Sequence, residues 1–219
     1  MTLDIKICGL KTPEALEAAL TGGASHVGFI FFPKSPRYLE PEAAGRLRRA
    51  ALGRADAVAV TVDADDAFLD RIVTALSPDM LQLHGRETPE RVTQVKARYG
   101  LPVMKALAIS DASDLKAAMG FAGVADRLLF DAKPPKGSVL PGGNGVSFDW
   151  RLLAALDLSI EYMLSGGLNA ANIGDALRLA NPPGIDISSG VESAPGIKDA
   201  GLIAEFFNSV RAARTNAAA

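Results

Sequence analysis

Two side chains in this sequence are suited to moving protons. Cys8 is the chain's single thiol, in the run Lys6-Ile7-Cys8-Gly9-Leu10 ahead of Thr12-Pro13-Glu14. A lone cysteine is by default a small buried hydrophobe. Here Lys6 lies two residues before it, on the same face of an extended chain, and a helix start follows. A nearby cation and a helix N-terminus both favour the thiolate, which is a competent general base. Asp131 ends the apolar run Leu128-Leu129-Phe130. A carboxyl in that place is either a cap or loop residue or, partly buried, an acid with a raised pKa that donates near neutral pH. One thiol and one carboxyl on opposite sides of a shared mouth would form an acid–base pair.

Other residues suggest what such a pair acts on. Ser165-Gly166-Gly167-Leu168-Asn169 and Ser188-Ser189-Gly190 each join an apolar run to a helical one. Either alone reads as a turn. In two successive units they read as a phosphate cradle built on Gly166, Gly167, Ser188, Ser189 and Gly190, because glycines let backbone N–H groups approach an oxyanion. Arg37 follows Pro33-Lys34-Ser35-Pro36. It is either a solvated loop residue or a guanidinium that clamps a carboxylate with two hydrogen bonds. Gln82 and His84 fit core hydrogen-bonding positions, and His26 reads as structural. Gly142-Gly143-Asn144-Gly145 matches neither the dinucleotide glycine fingerprint nor the P-loop. No metal site is expected, since neither H-E-x-x-H nor clustered ligands occur.

These residues fall at the ends of repeating elements. Apolar, β-branched runs predict strands at Leu3–Ile7, Val27–Phe31, Ala57–Val62, Met80–Leu83, Val103–Leu107, Leu128–Phe130, Tyr162–Leu164 and Ile185–Ile187. Helical spacing fills the gaps. Thr12-Pro13-Glu14 and Thr88-Pro89-Glu90 are N-cap signals, Pro41–Leu52 and the Phe68–Leu76 stretch read as helices, and Leu115 with Met119 marks a fifth. Ser147 could cap a helix through Leu156, Asn169 another through Leu177, and Leu202 to Val210 forms the last, with a frayed tail over 214–219. Eight such alternations imply a parallel sheet, either open and doubly wound or closed into a (β/α)8 TIM barrel. The near-regular units favour one barrel domain over residues 1–219, at the short end for that fold. Its active site then lies at the carboxyl ends of the strands. Cys8, the Phe32–Arg37 loop, Asp63, Gln82, His84, Lys105, Asp131, Lys133, Ser165–Gly167 and Asp186 to Gly190 all fall there.

The 219 residues carry 23 basic and 25 acidic side chains, for a net charge of −2. That balance gives no general electrostatic case for binding nucleic acid or an anionic membrane. No apolar run reaches the ~18 residues of a spanning helix, and the first residues do not read as a signal peptide. The expectation is a cytoplasmic protein, with length and charge that fit a monomer.

Taken together, Lys6-Ile7-Cys8-Gly9-Leu10, Gly28-Phe29-Ile30-Phe31 with Ser35-Pro36-Arg37-Tyr38, Leu81-Gln82-Leu83-His84-Gly85, Asp131-Ala132-Lys133 with Gly142-Gly143-Asn144-Gly145, Ser165-Gly166-Gly167-Leu168-Asn169, and Ile187-Ser188-Ser189-Gly190-Val191-Glu192 with Lys198-Asp199 resemble the phosphoribosylanthranilate isomerase family of tryptophan biosynthesis. The motifs span nearly the whole chain in order. Asn144 stands where the family pattern suggests Thr, and Asp63 where Asn is commoner. The resemblance implies a barrel of the ribulose-phosphate-binding type and an Amadori rearrangement of N-(5-phosphoribosyl)anthranilate to 1-(2-carboxyphenylamino)-1-deoxyribulose 5-phosphate. It implies Asp131 as general acid and Cys8 as general base, and Arg37 on the anthranilate moiety or a product oxygen. Asp186 and His84 would lie beside the substrate, and the Gly166-Gly167 and Ser188-Ser189-Gly190 loops on the phosphate. Loops after strands one and six would close over the site. No nicotinamide, flavin or metal is called for, because the reaction only moves protons.

Competing readings make different demands. A histidine-pathway aminoaldose isomerase should carry carboxylates at both catalytic strand ends, and Cys8 stands at the first. Indole-glycerol-phosphate synthase needs a lysine acid with a carboxylate partner and a longer N-terminus. A non-catalytic phospho-ligand barrel would have lost the acid or the base, and a redox sensor lacks a resolving cysteine.

Overall fold

The computed structural model of the chain describes residues 3–134, 137–138, 140–143, 145, 147–154 and 161–217. Asn144, which departs from the family pattern, lies outside them, as does Leu156. Strands β1 (Asp4–Cys8), β2 (His26–Phe31), β3 (Asp56–Thr61), β4 (Met80–Leu83), β5 (Val103–Ile109), β6 (Arg127–Ala132), β7 (Tyr162–Leu164) and β8 (Gly184–Ile187) form a closed parallel barrel, β8 pairing back onto β1. Between and after them run α1 (Pro13–Gly22), α2 (Pro41–Ala51), α3 (Asp66–Leu76), α4 (Pro89–Tyr99), α5 (Ala112–Ala118), α6 (Arg151–Ala154), α7 (Ile173–Ala180) and α8 (Ala200–Ala217).

The helix starts follow local chemistry. Thr12 accepts from Ala15 N and Thr88 from Arg91 N, each ahead of a first-turn proline whose missing N–H costs nothing there. Asp65 and Asp111 cap α3 and α5 in the same way. Asn169 accepts from the backbone N–H of Ala171 and Asn172, and so opens the turn that leads into α7. Ser147 does not cap α6. That helix begins at Arg151, whose N–H goes to Asp149, because the aspartate two residues back reaches it directly. The last helix continues through Arg214 to Ala217 where a frayed tail is expected; Ile203, Phe206, Phe207 and Val210 seat it on the barrel.

Partners across a ladder share a face, so register decides what enters the barrel. Lys6 pairs with Asp186, Cys8 with Gly28, Val60 with Gln82, Gln82 with Met104, and Leu129 with Met163. This set faces inward. Met104, Ala106, Leu129 and Met163 form one apolar cluster within it, and Cys8, Val58 and Val60 another. The other set, including Ile7, Phe29, Leu81, Val103 and Phe130, belongs to the large core cluster shared with the helices. Lys105 alternates with Met104 and Ala106, so it faces outward. It binds Glu87 there and does not belong at the mouth, because β5 runs four residues beyond it.

One element lies beyond the eight units. β9 (Glu192–Ala194) and β10 (Ile197–Lys198) form a short antiparallel hairpin between β8 and α8. Gly196 turns it with φ +79°, and a Cβ there would collide with the carbonyl of Pro36, so the hairpin seats directly on the loop after β2.

Candidate active site

A cavity opens at the carboxyl ends of the strands, as expected for a barrel. Cys8, Arg37, His84, Asp131, Asp186, Gly166, Gly167, Ser188 and Ser189 line it. Gly190 does not. Its missing Cβ serves packing, since a side chain there would strike the carbonyl of Leu168. Asp63 and Lys133 also stand outside the lining: Asp63 receives the N–H of Arg86 at 2.6 Å, and Lys133 pairs with Asp114.

Cys8 ends β1 and is 5% exposed. Gly28 beside it leaves the room it needs: a Cβ there would sit 3.0 Å from Sγ and 3.2 Å from Cε of Lys6. Lys6 is fully buried, 2.9 Å from Asp186, and faces Cys8 as well. Burial pulls the Lys6 ammonium down, but Asp186 and Cys8 together raise it above the ordinary lysine range. The thiol departs from the sequence expectation. Burial pushes Cys8 up, and Lys6 and Lys198 only partly offset this, so desolvation outweighs the neighbouring cation.

Asp131 lies inside β6 rather than after it and is 4% exposed. Its Oδ1 accepts from Ala132 N at 2.9 Å, and its Oδ2 lies 3.4 Å from His84 Nε2. The amide nitrogen of Gln82 stands 3.1 Å from His84 Nδ1. With that amide donating, the neutral ring keeps its proton on Nε2, aimed at Asp131. Gly142 lies on top of this pair: a Cβ there would run into Asp131 Oδ2 and the His84 ring. Gly142 therefore covers the Asp131 carboxylate.

Arg37 is buried, not solvated. Its Nε and Nη2 each donate to Glu192 at 2.8 Å, and Nη2 reaches the carbonyl of Gly143 at 3.4 Å. The two-pronged edge expected to clamp a ligand is thus already taken by Glu192. Nη1 is the nitrogen left to face the cavity, beneath Gly143.

The two glycine-bearing loops sit side by side after β7 and β8. Gly166 and Gly167 both have positive φ, +90° and +66°, a backbone that glycine adopts without steric cost. Asn172 ties back the Gly167 carbonyl at 2.9 Å. Among the described residues, the N–H groups of Gly166, Gly167 and Ser189 donate to no acceptor. The Ser188 hydroxyl is already committed: it donates to the Cys8 carbonyl at 3.1 Å and lies 3.3 Å from Lys198 Nζ. Glu192 and Lys198 belong to the motif that carries the family resemblance, but nothing in the sequence gave either of them a role at the site. The Pro195-Gly196 turn between them is the local signal that the two short runs fold back on each other.

The chain resembles known proteins along nearly its whole length. A family model described as N-(5'phosphoribosyl)anthranilate (PRA) isomerase matches residues 5–209. The N-(5'-phosphoribosyl)anthranilate isomerase of Mesorhizobium japonicum is 75% identical over 219 residues, 100% of both chains. The crystal structure of phosphoribosyl anthranilate isomerase from Thermotoga maritima is 32% identical with a TM-score of 0.86, covering 96% of this chain and 100% of that one. A second crystal structure, of phosphoribosyl anthranilate isomerase in complex with reduced 1-(o-carboxyphenylamino)-1-deoxyribulose 5-phosphate, is 30% identical with a TM-score of 0.84 over the same shares. Sequence and fold agree on one family across a barrel whose mouth gathers a thiol, a carboxyl and two glycine loops: the chain belongs to the N-(5'-phosphoribosyl)anthranilate isomerase family.

Proposed function

We propose that the chain catalyses the Amadori rearrangement of N-(5'-phosphoribosyl)anthranilate to 1-(2-carboxyphenylamino)-1-deoxyribulose 5-phosphate in tryptophan biosynthesis. The supporting observation is that Cys8 from β1 and Asp131 from β6, on non-adjacent strands, line the same cavity as the two glycine loops. Asp131 protonates the furanose ring oxygen, the C1–O bond breaks, and the aniline nitrogen becomes an iminium. Cys8, as thiolate, takes the proton from C2 and gives an enolamine. The enolamine loses its C2 hydroxyl proton and gains one at C1, leaving the ketone. The protein has then given one proton and taken one, and exchange with solvent resets it. The iminium adds positive charge near Cys8 at the moment a base is required, which favours the thiolate against its burial.

Phosphate held by Gly166, Gly167, Ser189 and the main chain of Ser188 anchors the substrate away from the reacting carbons. Arg37 meets the anthranilate carboxylate through Nη1, with Asp186 and His84 beside the sugar. The chemistry moves protons only, so no cofactor is invoked. No described helix is long and apolar enough to cross a membrane. In this reading the enzyme is cytoplasmic and monomeric, with every functional residue drawn from one chain.

The test follows loss of anthranilate-type fluorescence when the protein meets freshly generated phosphoribosylanthranilate. Wild type should quench it rapidly. Asp131→Asn should lose about 10²–10⁴-fold in turnover, the usual contribution of a positioned acid. A wild type that binds the reduced product analogue without quenching would refute the isomerase and leave a phospho-ligand-binding barrel.

A further inference from the structure

The hairpin carries a buried ammonium that the mechanism above does not use. The Lys198 side chain is 2% exposed, with Nζ 2.5 Å from Glu192 Oε1 and 3.3 Å from Ser188 Oγ. Ser188 in turn donates to the backbone carbonyl of Cys8. On its other side the Glu192 carboxylate receives Arg37 twice and the N–H of Gly196. An unbroken run of hydrogen bonds therefore joins the Gly143 carbonyl, Arg37, Glu192, Lys198, Ser188 and the main chain of Cys8.

The charges in this run do not cancel. Arg37 and Lys198 share one carboxylate, while the neighbouring Lys6–Asp186 pair is balanced. Burying an ammonium is costly even when paired, and Glu192 already has a partner in Arg37. The surplus cation reaches the main chain of Cys8 through Ser188 and acts on the thiol electrostatically; the other charged neighbours of Cys8 are Lys6 on its own strand and Asp186 on β8, and Asp131 and His84 line the same cavity.

We propose that Lys198 is a positioning residue of the catalytic centre, coupling the arginine that receives the substrate carboxylate to the strand end that carries the thiol. The roles of Arg37 and Cys8 rest on the isomerase reading; the coupling itself does not. Burial pulls Lys198 below the ordinary lysine range, and Glu192 and Cys8 only partly offset it, so its charge depends on the hydrogen bonds this cluster supplies. Glu192 is held low although burial opposes it, because two cations share it.

Cys8 is the chain's single cysteine, so ¹³Cβ-cysteine labelling gives one NMR signal whose shift reports thiol against thiolate without any need for turnover. Lys198→Met removes the surplus charge and leaves Glu192 paired with Arg37. Its Cys8 titration should lie about one pH unit above wild type, and turnover at neutral pH should fall about tenfold. Lys198→Arg, which keeps the charge, should titrate close to wild type and shows whether charge or shape matters. Coincident titration curves for wild type and Lys198→Met would overturn the proposal, as would equal shifts in both variants. A chain that fails to isomerise but shows the shift would refute the isomerase reading and leave the coupling standing.

Discussion

Lys6 and Lys105 are two buried strand lysines on carboxylates, one on each side of the barrel wall. Lys6 faces in, 2.9 Å from Asp186; Lys105 faces out, 2.7 Å from Glu87. Their surroundings differ in saturation. Lys105 has three protons to donate, and the carbonyls of Leu83 and Gly85 join Glu87 to take them. Glu87 in turn receives the N–H groups of Asp63 and Gly85. That cluster pins the turn that begins at His84 and so keeps the ring against Asp131. Lys6 meets one carboxylate and the thiol, and both of those partners line the cavity while Lys6 itself is fully buried behind them. A buried charge with every donor matched inside the fold holds structure; one set beside a thiol that opens onto a cavity is placed to tune that thiol.

The sharpest way to break this contrast is at the reactive groups themselves. Cys8→Ser should cost about 10²–10⁴-fold in turnover, because an alcohol is a far weaker base, while thermal unfolding changes little. Comparable turnover in that variant would remove the inward face from the chemistry. Next come the lysines. Lys105→Met strands a buried carboxylate and should cost about 3–5 kcal/mol in denaturant unfolding, with turnover per folded molecule and the Cys8 titration largely kept. Lys6→Met also strands a carboxylate, but should additionally raise the Cys8 titration and depress turnover. If both lysine variants moved the thiol alike, saturation would not be the distinguishing feature.

Gly28→Ala tests the space beside the base. Its Cβ would press on Sγ at 3.0 Å, so Cys8 must shift by a few tenths of an ångström. Turnover should fall about tenfold, with KM nearly unchanged because the phosphate loops lie elsewhere. The smallest effect is on pH dependence. In the proposed mechanism the thiolate is the active form, and burial holds the thiol above its ordinary range. Turnover should therefore rise with pH across the neutral region, and Lys6→Met should displace that rising limb to higher pH. A flat profile on that side would argue that Cys8 is already ionised at rest.

Much of this was legible in the sequence because it is local. Thr12 and Thr88 cap their helices by contacts three residues long, and the apolar runs mark every barrel strand to within a residue or two at most ends. Cys8, Asp131 and the glycine loops were found by one rule, that barrel chemistry gathers at the carboxyl ends of strands. The rule also swept in Lys105 and Asp63, which serve the scaffold. Arg37 was placed at the site, but its partner Glu192 lies 155 residues away, and no local pattern could have assigned the guanidinium's edge.

The sequence by itself determined the repeat of strand and helix, the helix starts, and the residue types able to give and take a proton. Tertiary structure alone decided which of two apolar faces of each strand turns inward. In a parallel barrel both faces are buried, one in the barrel and one under the helices, so hydrophobic alternation carries no sign. Closure of β8 onto β1 fixes that sign for every strand at once. It sets Lys6 beside the thiol, sends Lys105 outside, and brings the hairpin's Glu192 and Lys198 up to Arg37 and Ser188.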